Sequence, residues 1–327
     1  MKNKINLIMK ISIVFAIVLS FQACSLKFPA ELREVEQSKN SYDIKNSKIK
    51  TEIKFINKIP KNNKVIIGQL KDMWYLQQNK KDIKSYSFIK EALINEFKAR
   101  ELPFNESLHT ENSINLEKFK IHTSNIFYSP FVYLSMLEVT VNINGKEKKI
   151  NAVVKRAKFS GWSQQAIWDS VYNEPIMILI KEITAKINKE YFGYRLSDKK
   201  VNELINNIEK AIETEDEKVY LQIYELGFSN NKKALDKLIS YSQMGNEYIK
   251  MTAISVLGLL GGESQFEYLV TKYRTSKLWQ DRAFALKAIS DIGTQKTESF
   301  VKNESKQFKN VDTREAKWYR MMFNRYM

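Results

Sequence analysis

The sequence predicts an α+β protein, with a sheet-and-helix domain in its first part and an all-helical domain in its last. Two stretches with alternating apolar residues flank Asn144-Gly145, a pair that is typical of a type I′ hairpin turn. Three later segments with helical spacing end at Gly227, Gly261 and Gly293. The chain of 327 residues contains 10 glycines and 5 prolines, which favours long regular elements over turn-rich β structure.

The first 23 residues have the parts of a bacterial export signal. Three lysines and no acidic residue accompany an apolar run over residues 11–21, which is too short to span a bilayer at about 20 residues. The run leads into Phe-Gln-Ala-Cys, with a small residue before Cys24. This ending resembles a bacterial lipobox, although Phe21 and Gln22 depart from its commonest form.

The resemblance implies cleavage before Cys24 and acylation of its amine and thiol, so that membrane lipid holds the protein through this residue. Ser25 follows, as in lipoproteins that enteric bacteria send to the outer membrane, and we expect a lipid anchor there rather than in the inner membrane. A plain secretory signal and an uncleaved anchor are the alternatives. Cys24 is the single cysteine, so the sequence excludes an internal disulfide and a zinc site built from several thiolates.

The net charge of +16 narrows the class of partner. Three lysines lie in the signal, so the chain after them carries about +13. Such a basic exported protein is expected to meet an anionic membrane, an acidic glycan or an acidic protein. Export argues against nucleic acid as a partner.

Residues 24–62 are polar and rich in Lys, Asn and Ser, without a sustained period. This composition predicts a lipidated tether or a loosely ordered lead-in to the folded part.

We assign residues 63–195 to an α+β domain with the element order β-α-β-β-β-α. Strands are predicted at 64–70, 118–128, 133–143 and 148–159, and helices at 83–102, 164–172 and 176–191. Pro103 ends the first helix, while Asn173 and Pro175 mark the start of the last one. The order favours an antiparallel or mixed sheet with helices on one face.

This order of elements resembles that of small periplasmic lipoprotein domains, which include auxiliary components of lipid-transport systems and lipopolysaccharide-assembly lipoproteins. The resemblance covers residues 63–195 and implies partner binding without catalysis.

Residues 198–327 contain an internal repeat. Segments 219–227, 253–261 and 285–293 align on glycines 34 and 32 residues apart, each followed by another amphipathic helix. Each glycine is expected to end its helix in the left-handed conformation. The pattern resembles short HEAT-like repeats, which implies a solenoid of stacked helix pairs with an extended surface for protein partners. An ordinary helical bundle is the alternative.

The search for catalytic or metal-binding residues gives weak candidates. His109 and His122 lie outside any H-E-x-x-H pattern, and surface or strand positions are the simpler interpretation. Asp72 and Asp169 are predicted to meet at one edge of the sheet. Three tryptophans near them in sequence would then form an aromatic cleft, with core packing as the alternative: Trp74, Trp162 and Trp168.

A basic cluster lies on the hairpin around Asn144-Gly145. Its members are Lys146, Lys148, Lys149, Lys155, Arg156 and Lys158. Glu147 is the one acid among them, so the cluster predicts contact with anionic lipid headgroups or lipopolysaccharide phosphates. The alternative is a solvated edge strand that lysines protect from aggregation.

These observations predict an envelope lipoprotein that acts as a non-enzymatic binding or assembly scaffold, with an envelope protein as partner and without a cofactor. A lipid- or glycan-binding auxiliary subunit of an envelope transport system is the second hypothesis.

Overall fold

The computed structural model describes residues 27–44, 50–68, 71, 74–126, 129–156 and 163–326. A region of strands comes first and a helical region follows, which confirms the predicted α+β class. The strands are β1 (Phe28–Glu31), β2 (Thr51–Asn57), β3 (Ile66–Gly68), β4 (Trp74–Gln78), β5 (Lys81–Asp82), β6 (Phe104–Glu106), β7 (Ser113–Ile126), β8 (Ser129–Ile143) and β9 (Lys146–Arg156).

The helices lie close to their predicted positions. They are α1 (Ser85–Ala99), α2 (Gln164–Trp168), α3 (Glu174–Ile187), α4 (Asp198–Glu213), α5 (Val219–Gly227), α6 (Leu235–Tyr241), α7 (Glu247–Gly261), α8 (Phe266–Thr275), α9 (Trp279–Ile292), α10 (Gln295–Gln307) and α11 (Arg314–Tyr326). Segments Asp169–Asn173 and Asn188–Phe192 are π-helical and follow α2 and α3.

The main sheet is mixed, as predicted. Its strand order is β6-β2-β7-β8-β9, and β3 also pairs with β7. The β7-β8-β9 part is antiparallel, whereas β2 and β3 run parallel to β7 along one edge. Asn144 and Gly145 both have positive φ (54° and 76°), as the predicted hairpin turn between β8 and β9 requires.

A smaller sheet incorporates residues that the sequence assigns to a tether. β1 pairs in parallel with β4, with Phe28 opposite Trp74, and β2 belongs to the main sheet. Ala30 and Leu32 are buried at 0% and 2% exposure. At β1 and β2 the structure has paired strands where the sequence predicts a loosely ordered lead-in, because these short apolar segments find partners in distant strands.

Helices cover both faces of the main sheet rather than the single face that the sequence predicts. Leu137 and Val139 of β8 belong to the large core with α1 and α3. Leu134 and Met136 face the other way and pack with Trp318 of α11 in a second cluster. The last helix of the chain thus returns to the sheet and covers its second face.

The start of α3 also differs from the prediction. Asn173 has helical φ and ψ and makes no capping hydrogen bond, so the chain stays helical from α2 into α3. Pro175 lacks an N–H group, and the π-helical turn before it accommodates the missing hydrogen bond.

Alternate helices contact one another in the helical region. α5 contacts α7, α7 contacts α9, and α9 contacts α11, while α6, α8 and α10 pack beside them. Of the three glycines predicted to end helices, Gly293 is left-handed (φ 71°). Gly227 is the last residue of α5, and a Cβ there would lie 2.4 Å from Val256 Cβ. That glycine therefore permits close helix packing rather than a left-handed turn.

Among the described residues, no helix is both long enough and apolar enough to cross a lipid bilayer.

Candidate functional site

The predicted lipid-attachment residue, Cys24, lies outside the described residues. The described chain starts at Lys27, and β1 starts at Phe28. The first strand thus begins four residues after this cysteine.

The structure distributes the basic cluster over two faces of β9. Lys146 and Lys148 each lie 2.6 Å from a carboxylate oxygen of Glu190, beside the end of α3. Burial alone would raise the pKa of Glu190, but the two ammonium groups outweigh it and hold that pKa below its usual value. Lys149 points to the opposite face, 3.3 Å from Glu138.

The other members of the cluster do not extend this surface. Lys155 and Arg156 are buried at 3% and 6% exposure, and Lys158 lies outside the described residues. Lys155 Nζ is 3.2 Å from Glu247 Oε1 and lies over the Trp279 ring. The described members of the cluster form ion pairs with four different elements of the fold, and contact with an anionic surface stays a prediction for the solvent-accessible Lys146, Lys148 and Lys149.

The predicted aromatic cleft is not assembled from the residues that the structure describes. Asp72 and Trp162 lie outside them. Trp74 contacts Phe28 at 5.7 Å between ring centroids, whereas Trp168 packs at the margin of the large core. Asp169 accepts a hydrogen bond of 2.7 Å from Arg33.

The histidines lie at separate positions. His109 is exposed after β6, and His122 meets Trp318 edge-on at 5.6 Å. Among the residues described, no group of three or more His, Cys, Asp or Glu side chains is arranged to hold a metal ion.

A long groove lies where the sheet region meets the helical region. Three cavities of about 390, 180 and 420 Å³ all have Lys218 in their lining. Lys218 is on the loop between α4 and α5, and its side chain is 54% exposed. We call this feature the Lys218 groove. The two larger cavities each fall within the range of about 300–1,000 Å³ that is typical of ligand sites, and the third is smaller.

One end of the groove has a buried arginine in its wall. The Arg156 guanidinium lies 4.5 Å from the Tyr220 ring centroid and 4.9 Å from that of Tyr248. Glu174 lies 3.4 Å from Arg156 Nη2 and 3.1 Å from Lys218 Nζ, so one carboxylate serves two cations. The two ring centroids are 5.8 Å apart and the ring planes are tilted by 45°, so the guanidinium packs against a pair of adjoining aromatic rings.

Tyr220 completes this arrangement as a hydrogen-bond donor to Glu174. Burial raises the pKa of Tyr220 far above its usual value, and the Glu174 charge raises it further against the opposing effect of Arg156. The phenol therefore stays protonated and donating at neutral pH. Outside this interior, the exposed rim of the groove is acidic, with Glu215, Asp216 and Glu217.

The other end of the groove is walled by the chain that follows β1. Arg100, directly after α1, is completely buried, and its Nη1 donates to the Asn40 carbonyl oxygen at 2.8 Å. Nη1 is also 2.8 Å from Glu225 Oε1 of α5. Ser38 donates to Glu96 from its N–H (2.9 Å) and its hydroxyl (2.6 Å). This network fastens residues 38–42 between α1 and α5.

Below the groove, four buried charges join the two regions. They alternate in a ring formed by Glu182, Lys186, Asp291 and Lys287, with N–O distances of 2.6 to 2.9 Å. Sequence reasoning missed this ring and the Arg100 network. A signal was present in α3, where Glu182 and Lys186 stand four residues apart in a helix whose other residues are mostly apolar.

The arrangement is suited to binding. Its cations are neutralised by carboxylates within the fold, the tyrosines offer flat surfaces, and the exposed acids can meet a basic partner.

In comparisons with protein-family models, curated proteins and solved structures, no match to this chain was found.

Proposed function

We propose that this chain is an exported lipoprotein, held at a membrane of the cell envelope by acyl chains on Cys24, whose body binds and assembles protein partners. The observation that carries the proposal is the position of the single cysteine, directly after a signal-like apolar run. The start of β1 at Phe28 supports it, because a folded body follows the cysteine almost at once.

The helical region supports the scaffold part of the proposal. Helices α5, α7 and α9 contain the three aligned segments, and each contacts the next. We interpret them as HEAT-like units of a short solenoid, in which each unit completes its core against its neighbours. Such an array presents an extended surface, and the Lys218 groove lies where it meets the sheet.

A lipid- or glycan-binding auxiliary subunit is the second candidate function. The observation that favours it is the volume of the groove together with Tyr220 and Tyr248 in its wall. The packed side chains on both faces of the main sheet favour the scaffold, because they fill the space between the sheet and the helices that cover it.

The anchor is tested by Cys24→Ser in the producing bacterium. We expect the wild-type protein to sediment with membranes and to carry the mass of its acyl groups, and the variant to be neither processed as a lipoprotein nor acylated. Ser25→Ala is the matched control, because it leaves the cysteine in place. A wild-type protein whose Cys24 carries no acyl mass would contradict the proposed anchor. Separation of inner and outer membranes tests the outer-membrane assignment.

The scaffold role is tested at the groove in the lipidated protein. Glu215→Lys reverses one charge of the acidic rim, and Glu203→Lys, at a 57% exposed side chain on α4, is the control. After crosslinking in intact cells, we expect specific protein crosslinks that Glu215→Lys diminishes and Glu203→Lys retains. Crosslinks to lipid or glycan alone would instead support the second candidate.

A further inference from the structure

The small sheet brings two distant aromatic residues to one end. β1 and β4 are parallel, Phe28 is the first residue of β1, and Trp74 is the first residue of β4. The two are paired in register, and their ring centroids are 5.7 Å apart. This end of the sheet is also the end from which the chain leads back towards Cys24.

The distance from the anchor to this end is limited by the chain itself. Four residue steps separate Cys24 from Phe28, and a fully extended chain covers at most about 14 Å in four steps. Since acyl chains hold their cysteine at the headgroup level, Phe28 cannot lie farther than this from the membrane surface.

The side chains at this end have the chemistry of a membrane interface. Phe28 is 44% and Tyr75 is 36% exposed, although both are large and apolar. Lys27 is exposed beside Phe28, and Lys71 is exposed on the turn that leads to β4. Aromatic rings collect at the headgroup level of bilayers, and lysines are attracted to anionic headgroups.

From this placement we propose that the end of the small sheet rests on the anionic membrane surface as a second contact beside the lipid anchor. We call it the anchor-side patch, formed by Lys27, Phe28, Lys71, Trp74 and Tyr75. The inference rests on the proposed acylation of Cys24. It fixes the body directly at the bilayer, where a long tether would have let it move away.

The chain offers a clean way to test the patch. Cys24 is the single cysteine and is blocked once acylated, so a cysteine introduced elsewhere is the one free thiol. Tyr75→Cys places a nitroxide label in the patch of the full lipidated protein. Leu108→Cys and Val311→Cys place it at other exposed apolar positions, at 78% and 39% exposure.

Each labelled protein is reconstituted into vesicles of phosphatidylethanolamine with anionic phosphatidylglycerol. Collision of the label with lipid-soluble oxygen and with a water-soluble nickel chelate is measured by electron paramagnetic resonance. We expect the label at position 75 to lose nickel collisions and gain oxygen collisions on transfer from detergent to vesicles. The labels at 108 and 311 should change in neither respect.

The protein mass, measured on the same samples, shows whether Cys24 is acylated and so separates failure of the membrane contact from failure of the anchor. An acylated protein whose label at position 75 stays as open to nickel as the controls overturns the patch and leaves the anchor intact. An unmodified Cys24 overturns both proposals. A label shielded from nickel and oxygen alike places a protein on the patch, either a second copy or a partner, and overturns the membrane contact.

A separate pair of variants tests whether the lysines of the anchor-side patch contact anionic headgroups. In the Tyr75→Cys background, we expect Lys27→Glu with Lys71→Glu to restore nickel collisions in anionic vesicles. Lys232→Glu, at an exposed lysine of the helical region, should leave them low. Unchanged protection in the double charge reversal would overturn the assignment of an anionic surface.

Discussion

Lys287 Nζ of α9 lies 2.6 Å from Glu182 Oε1 of α3, with both side chains at 1% exposure or less. This contact joins the helical region to the sheet region in the protein interior. Lys186 and Asp291 complete the ring, and Lys186 also donates to the Asn151 carbonyl oxygen of β9 at 2.6 Å. Two carboxylates and two ammonium groups cancel in charge, which is the condition under which such groups tolerate burial.

Removing one member of the ring should destabilise the whole chain. We expect Lys287→Met to lower the free energy of unfolding by about 3–5 kcal/mol, because it leaves two buried carboxylates with one cation. Urea denaturation followed by circular dichroism measures this. Lys296→Met breaks an exposed pair with Glu267 and should cost about 0–1 kcal/mol. Equal effects of the two variants would show that the ring contributes no more than a surface pair.

The ring also predicts a pH dependence. Burial would raise the pKa of Asp291, but Lys186 and Lys287 outweigh it and hold that pKa below its usual 3.8. A depressed pKa in the folded state gives stability that is present above pH 3.8 and is lost as the pH falls through the lower value. We expect Asp291→Asn to weaken this acid-side loss in unfolding measured over a pH series. A variant with the same acid-side slope as the wild type would contradict the assignment.

The Arg100 network is expected to protect the chain after β1 from local unfolding. Arg100→Met should lower the free energy of unfolding by about 3–5 kcal/mol and expose residues 33–44 to proteases, since Glu96 loses its buried cation. Limited proteolysis with mass spectrometry locates the cleavage. Arg33→Met, which removes a 59% exposed partner of Asp169, is the control and should leave this segment protected. Cleavage elsewhere first would argue against a fastening role.

Gly258 marks the closest approach of two helices. A Cβ at this position of α7 would lie 1.7 Å from the Ala288 carbonyl oxygen of α9, and backbone cannot move away as a side-chain end can. We expect Gly258→Ala to destabilise by about 1–3 kcal/mol or more through overpacking. Gly245→Ala has open space around it and should be tolerated. Thermal unfolding of both variants is the test, and a stable Gly258→Ala protein would contradict the close packing.

Trp318 is the residue through which we expect α11 to stabilise the second face of the main sheet. Its ring packs with Leu134 and Met136 and stacks on Trp279 at 5.6 Å. Trp318→Ala should destabilise by about 3–5 kcal/mol and uncover one face of the sheet to a hydrophobic dye. Trp318→Phe keeps much of the packing and should cost less. Dye binding that stays at the wild-type level in Trp318→Ala would show that α11 does not cover this face.

Much of the local structure was predictable from the sequence. The hairpin at Asn144-Gly145 and the helices of the last third lie close to their predicted positions, because turn chemistry and apolar spacing act over a few residues. The short strands β1 and β2 escaped prediction, since a few apolar residues in a polar segment carry little periodic signal. Their pairing depends on β4 and β7, which lie far away in the chain.

The candidate site was less predictable. The sequence singled out Arg156 for its charge but placed it on a surface patch, whereas the fold buries it against the neighbouring rings of Tyr220 and Tyr248. Lys146, Lys148 and Arg156 have the same parity along β9, yet parity alone cannot show which helices cover their face. The covering helices decide which of these charges meets solvent and which meets Glu174.

The sequence by itself determined the element types, the α+β order and the position of the single cysteine after the apolar run, because each depends on residues close together in the chain. The tertiary structure alone decided that the chain after β1 belongs to the body, that α11 covers the second face of the sheet, and that four charges form a ring between α3 and α9. Those outcomes depend on contacts between residues distant in sequence, where burial and electrostatic pairing select the partner and local patterns do not.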